Sequence, residues 1–241
     1  MKKVIVLGAN GATGRLLVKD LLNREIEVIA LVRSPVSAVT EHNDSPNYRE
    51  VVASISDMPD GELIPLLKEC DAVFSCLGHN LTFKGIYGEP RRLVKNAIAT
   101  ISRLIEAIKP ERRVKVILMN TTGNSNRDTQ ESPPLSQRVV VWILRFLLPP
   151  HVDNEKAADF LWSDIGHDHP VIEWSVVRPD SLVDEPEVTD YETHPSPIRN
   201  AIFDAGSTSR INVANFMASL ADDSGLWDRW KGKMPVIYNV S

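Results

Sequence analysis

Cysteine is nearly absent: Cys70 and Cys76 are the only two in 241 residues. Two are too few for a disulfide framework and suit a reducing compartment, where both read as small buried hydrophobes. Basic excess is missing as well. The net charge is −5 and no stretch forms a cationic stripe, which speaks against a general nucleic-acid binder. Long apolar runs are also lacking. The longest, VVVWILRFLL over residues 139–148, is interrupted by Arg145 and falls short of the roughly 20 residues that cross a bilayer. After Lys2 and Lys3 the run VIVLGA reaches Asn10-Gly11 before a signal-peptide core can form, so it reads as a first strand. The expectation is a cytoplasmic protein without a membrane span, a metal site or a nucleic-acid partner.

What is present is ordinary for a folded chain, with 43% hydrophobic and 24% charged residues. Short β-branched runs alternate with helical patterns. Strands are expected at 3–8, 27–32, 48–53, 71–76, 114–120, 173–178 and 236–240. Several are apolar almost continuously, as strands are when helices cover both faces of a sheet. Helices are expected at 14–23, 60–69, 90–108, 135–147, 153–165 and 212–222, the last with Asn212 as N-cap. This alternation predicts an α/β fold built on a doubly wound parallel sheet. No repeat or linker divides residues 1–241, so a single domain is expected. Two segments break the rhythm: the polar 124–134, mobile by composition, and the acidic, Pro-rich 184–197. Both follow C-terminal strand ends, where open α/β sheets bind ligands, and both are expected to cover a site.

The first strand runs into GANGATG, with glycines at 8, 11 and 14. The familiar G-x-G-x-x-G pattern would need glycine at 10, where Asn10 stands. A tight glycine turn between a strand and a helix nevertheless makes an anion site, because free N–H groups and the helix dipole converge there. Gly8 allows the sharp exit, Gly11 the approach of a pyrophosphate and Gly14 close helix packing, with Asn10, Ala12 and Thr13 completing the turn. The second strand ends in ALVRSP. An acidic residue there would hydrogen-bond the ribose hydroxyl of NAD. Arg33 and Ser34 suit the 2′-phosphate of NADP instead, so NADP is expected ahead of NAD.

The stretch VIVLGANGATGRLLVKDLLNREIEVIALVRSP resembles the atypical short-chain dehydrogenase/reductases, NAD(P)H-binding proteins that include NmrA-like and biliverdin-reductase-B-like members. The resemblance continues through DAVFSCLG, VKVILMNTTG, EKAADFL and EWSVVRPDSLVDE, in the family's order over most of the chain. It implies a Rossmann-type fold and explains Asn10, since the family uses G-x-x-G-x-x-G. It further implies that Ser54 and Ile55, after the third strand, lie near adenine, Ala53-Ser54-Ile55 standing where the family has Gly-Asp-Val and so lacking its acidic contact. Cys76, Leu77 and Gly78 would pass beside the ribose.

The family's Tyr-x-x-x-Lys proton-transfer pair is matched only at Lys156, because Val152 holds the tyrosine position. The serine position falls at Thr121 or Thr122. His151 stands beside the vacancy and is a candidate proton donor, histidine being the side chain whose unperturbed pKa lies closest to neutrality. Pro179, Ser181 and Leu182 match the turn under the nicotinamide, with Asp180 in place of the usual glycine and Arg178 either structural or at the site. Residues 179–235 are expected to supply the substrate side. The helix over residues 133–150, apolar nearly all round with Trp142 and Phe146, is expected to be buried against the sheet, a second subunit or an apolar ligand. The implied function is NADPH-dependent reduction of a small carbonyl, quinone or flavin-like acceptor, hydrophobic or aromatic. The alternatives are an NmrA-like redox-sensing regulator without catalysis and a nucleotide-sugar epimerase or dehydratase.

Overall fold

The computed structural model describes residues 2–35, 45–78, 92–129, 131, 140, 142, 149–200 and 204–240. The strands are β1 (Lys3–Leu7), β2 (Glu27–Val32), β3 (Tyr48–Val52), β4 (Ala72–Ser75), β5 (Val114–Met119), β6 (Ile172–Pro179), β7 (Ser181–Val183), β8 (Tyr191–His194), β9 (Ser207–Ser209) and β10 (Val236–Asn239). The helices are α1 (Ala12–Asn23), α2 (Asp60–Lys68), α3 (Leu93–Ile108), α4 (Pro149–Phe160), which runs into a π-helical turn at Leu161–Ile165, α5 (Arg210–Asp222) and α6 (Ser224–Trp230).

Eight strands form one sheet in the order β3-β2-β1-β4-β5-β6-β10-β8. All pairings are parallel except β8 against β10. Period-two alternation within each strand builds the two layers of core. Ile5 and Leu7 of β1, with Ile29 and Leu31 of β2, pack beneath α2, α3 and α4. Val4, Val6, Val28 and Ala30 face α1, α5 and α6 on the other side. The order reverses direction at β1 and β4, which opens a crevice at their C-terminal ends.

Several expectations need correction. Within 184–197, read as irregular, residues 191–194 form β8, the one antiparallel strand of the sheet. The short β7 and β9 pair with each other, and α6 was not anticipated; all three are too short to show a period. The helix expected at 212 starts at Arg210, because Ser209 is the N-cap and its hydroxyl accepts the Asn212 N–H at 3.3 Å. Asn212 sits inside the first turn, fully buried. Its side chain accepts the Thr189 N–H at 3.0 Å and donates to Thr189 Oγ1 and Asn239 Oδ1 at 2.9 and 2.8 Å.

The helix expected from 153 begins at Pro149, and α1 begins two residues early. The start of α3 carries no cap of its own. Asp153 of α4 serves instead, its carboxylate accepting the Val94 and Lys95 N–H groups at 2.8 and 3.0 Å. The helix expected at 135–147 lies outside the described residues except at 140 and 142. Trp142, expected to be buried, is 58% exposed.

Candidate cofactor site

The glycine turn is dictated by backbone contact. Gly8 has φ +76°, which L side chains rarely adopt, and a Cβ there would lie 2.7 Å from the carbonyl oxygen of Cys76 at the end of β4. A Cβ on Gly14 would run into the Gly8 carbonyl, and one on Gly11 would approach that oxygen to 3.1 Å. The Gly11 N–H closes the turn onto Gly8 O at 2.9 Å. Gly11 is also the N-cap of α1, so no side chain caps the helix, and its first turn carries no acidic residue. The first-turn amides and the positive end of the dipole thus face the mouth of the turn with no internal anion to answer them.

Asn10, the departure from G-x-G, has a structural use. Its side-chain amide donates to the Ser34 carbonyl at 3.0 Å and ties the turn to the end of β2. Together these segments line a cleft of about 210 Å³ with Leu7, Gly8, Asn10, Gly11, Arg33, Ser34, Ser54, Ile55, Cys76, Leu77, Gly78 and Leu93 among its walls. That is below the ~300–1,000 Å³ of ordinary ligand pockets, so the cleft suits the nucleoside end of an extended ligand. Arg33 and Ser34 are exposed at its rim. Burial pushes the Cys76 thiol up to about 12, which keeps it neutral and leaves the site without a thiolate facing an anion. Cradle, uncapped helix and exposed guanidinium fit a phosphorylated dinucleotide.

The residues expected at the other end are not walls of this cleft; they gather beyond β5 and β6. The Thr122 N–H donates to Pro179 O at 3.1 Å, and the Thr122 hydroxyl donates to Asp180 Oδ1 at 3.2 Å. Asn120 donates to Asn154 O at 2.9 Å, docking α4 on the end of β5. His151 lies against Gly123, where a Cβ would be 3.2 Å from His151 Cε1 and 3.7 Å from Thr121 Oγ1. His151 and the Thr121 hydroxyl thus both flank Gly123. Lys156 is exposed on α4, and Ser181 and Leu182 belong to β7.

Arg178 is structural. Fully buried, it donates from Nε to Met234 O at 2.8 Å, from Nη1 to Asn124 O at 2.9 Å and from Nη2 to Pro195 O at 3.2 Å. Its ion pair with Glu131 measures 2.8 Å. Both segments read as irregular excursions are thus pinned to β6 by one guanidinium. Asn124 and Asn126 are buried, not the mobile surface that their polarity suggested. The residues missed at the cleft, Leu7, Leu31, Val32, Ala53 and Leu93, stand at strand ends or at the start of a helix. The first four already lay at the C-terminal edges of the expected strands 3–8, 27–32 and 48–53, and reading those edges as walls of the site would have found them.

A family model described as NAD(P)H-binding matches residues 8–224. The chain is 42% identical over 59 residues, 24% of its length, to an uncharacterised chloroplast protein of Arabidopsis thaliana, and that match spans 21% of the relative. Among solved structures, it is similar to a short-chain dehydrogenase/reductase of Veillonella parvula in complex with NADP, at a TM-score of 0.71 and 17% identity over 99% of this chain and 94% of that one. A candidate NADH-flavin reductase of Streptococcus pneumoniae matches at a TM-score of 0.65 and 16% identity, with all of both chains covered. A candidate NAD-dependent epimerase/dehydratase of Bacillus halodurans matches at 0.69 and 20%, over 100% of this chain and 95% of that one. Identities this low show a shared fold. The glycine cradle at the crevice and a family match over nine-tenths of the sequence together make this chain a member of the NAD(P)H-binding family.

Proposed function

We propose that the protein is an NADPH-dependent oxidoreductase that reduces a small carbonyl, quinone or flavin-like acceptor in the cytoplasm. The glycine cradle with Arg33 at its rim carries this reading. The amides of the first turn of α1, Ala12 through Gly14, hold the pyrophosphate beside Asn10, the Gly11 N–H being spent on closing the turn. Arg33 presents two parallel donors to a 2′-phosphate, helped by the Ser34 hydroxyl. Ser54 and Ile55 border the adenine, and Cys76 to Gly78 pass the ribose. A bound nicotinamide supplies hydride. Thr121 or Thr122 binds the acceptor oxygen, and Lys156 reaches the ribose from α4. Pro179, Ser181 and Leu182 begin the stretch, through about residue 235, that forms the acceptor side.

A second reading, an NADP(H)-binding sensor without turnover, is favoured by Val152 at the position of the family's tyrosine. Assaying NADPH oxidation against quinones, flavins and aldehydes separates the two. The reductase reading expects at least one acceptor to be turned over. Tight NADPH binding with no oxidation by any of them overturns it in favour of the sensor.

A further inference from the structure

Another cavity, of about 490 Å³, falls inside the ~300–1,000 Å³ range of small-molecule pockets and shares no wall residue with the cofactor cleft. Its walls come from segments far apart in the chain: residues 126, 128 and 129 after β5, His167 after the π-helical turn, Pro195 after β8, and residues 229–233 between the end of α6 and β10. Arg178 gathers these segments, since its guanidinium donates to the carbonyls of Asn124, Pro195 and Met234. Gly232 brings the last one close. Its φ of +67° suits glycine, and a Cβ there would lie 2.8 Å from Nδ1 of the His167 ring.

Charge in these walls is unbalanced, in a chain whose net charge is −5. Arg229, Lys231 and Lys233 share them with one carboxylate, Asp128. That acid is already engaged: it accepts the Trp162 indole N–H at 2.6 Å and lies 3.2 Å from His167 Nε2. Lys231 pairs with Asp228 at 2.7 Å. Arg229 and Lys233 have no acidic partner among the described residues. The guanidinium lies 5.0 Å from the centre of the Trp230 ring, and the ammonium donates to the Arg229 carbonyl at 2.8 Å.

Two neutral groups in the same walls are unanswered as well. Trp230 is 2% exposed, and neither its indole N–H nor the Thr129 hydroxyl has a hydrogen-bond partner among the described residues. The indoles of Trp162, Trp174 and Trp227, by contrast, donate to Asp128, the Gly166 carbonyl and Glu173 at 2.6, 2.7 and 2.6 Å. Buried donors in native proteins are paired as a rule, and one without an acceptor marks a place that water, an ion or a ligand completes.

We propose that this cavity binds a small organic oxyanion, a phosphate ester or a polycarboxylate, through Arg229 and Lys233, with the Trp230 N–H and the Thr129 hydroxyl as neutral donors. The class follows from the donor set: two cations without acids and two unpaired neutral groups all offer hydrogen to oxygen, while the one carboxylate in the walls is occupied. The site stands apart from the cofactor cleft and does not depend on turnover of NADPH. Because its walls hang from Arg178, an anion bound there also stabilises the folded chain.

The test uses the cofactor-free protein and three probes, inorganic phosphate, pyrophosphate and citrate, each titrated at constant ionic strength against sodium chloride. Proton–nitrogen correlation spectra resolve the indole N–H signals, and Trp230→Phe assigns the one that belongs to this wall. At least one probe is expected to move the Trp230 signal saturably and to raise the melting temperature, and the order of the probes tells a phosphate ester from a polycarboxylate. Arg229→Gln combined with Lys233→Gln changes two exposed side chains and should weaken that binding about tenfold or more, the scale of a lost charge-assisted hydrogen bond. Arg33→Ala, which removes a cation from the other site, should leave it unchanged. A Trp230 signal that moves with no probe, that moves no further than with chloride at the same ionic strength, or that moves equally in the double variant overturns the proposal. None of these outcomes alters the reductase reading, which NADPH oxidation tests separately.

Discussion

The two ends of the crevice are built by opposite means. At β1 and β4 the cleft is shaped by backbone: Gly8 and Gly14 are required because a single Cβ would meet a carbonyl, and no side chain caps α1. At β5, β6 and β10 the shape is set by buried polar side chains, Arg178, Asn120, Asn124 and Asn212 among them. A site made of missing side chains holds any ligand with the right phosphates. One made of specific hydrogen bonds has to be satisfied in detail, which leaves it less tolerant of change.

The strongest way to break this contrast is Arg178→Met. It leaves Glu131 buried without its partner and strips the donors from three carbonyls, a loss expected at about 3–5 kcal/mol of unfolding free energy. Denaturant melts check it, and protein still folded at low temperature should bind NADPH as before, because the cleft residues do not touch Arg178. Gly14→Ala is the reverse case. It should cost about 1–3 kcal/mol through overpacking of α1 on the turn, and it should abolish dinucleotide binding, read by fluorescence titration. Asp153→Ala removes the borrowed cap of α3 and should cost about 0.5–2 kcal/mol. The smallest effect is expected for Asn10→Ala, which loses one exposed hydrogen bond to Ser34, worth about 0.5–1.5 kcal/mol. It should weaken NADPH binding only a few-fold.

The same contrast explains what could be read before the structure was known. The glycine turn, the seven strands of the parallel part of the sheet and Arg33 with Ser34 were legible because they follow from local spacing and periodicity, whereas Ser54, Ile55 and Cys76 to Gly78 followed from the family resemblance. Arg178 was ambiguous because its partners, Asn124, Glu131, Pro195 and Met234, are scattered along the chain. The polarity of 124–134 suggested a mobile loop, although Asn124 and Asn126 are buried by contacts that no local window contains. β8 was hidden in an acidic, Pro-rich stretch because its pairing with β10, far along the chain, sets its conformation. Asp180 was visible only as a departure from a glycine, and its carboxylate accepts the Thr122 hydroxyl and the Gly206 N–H.

The central claim is that the glycine cradle and Arg33 form a seat for the phosphates of NADP. Titrating wild type and Arg33→Ala with NADPH and NADH, followed by nicotinamide fluorescence at low salt, tests it most directly. The expected result is tighter binding of NADPH by tenfold or more, the order of a charge-assisted hydrogen bond, with that preference lost in Arg33→Ala while NADH binding is unchanged. Equal affinity for the two cofactors in the wild type, or a preference that survives the loss of Arg33, contradicts it.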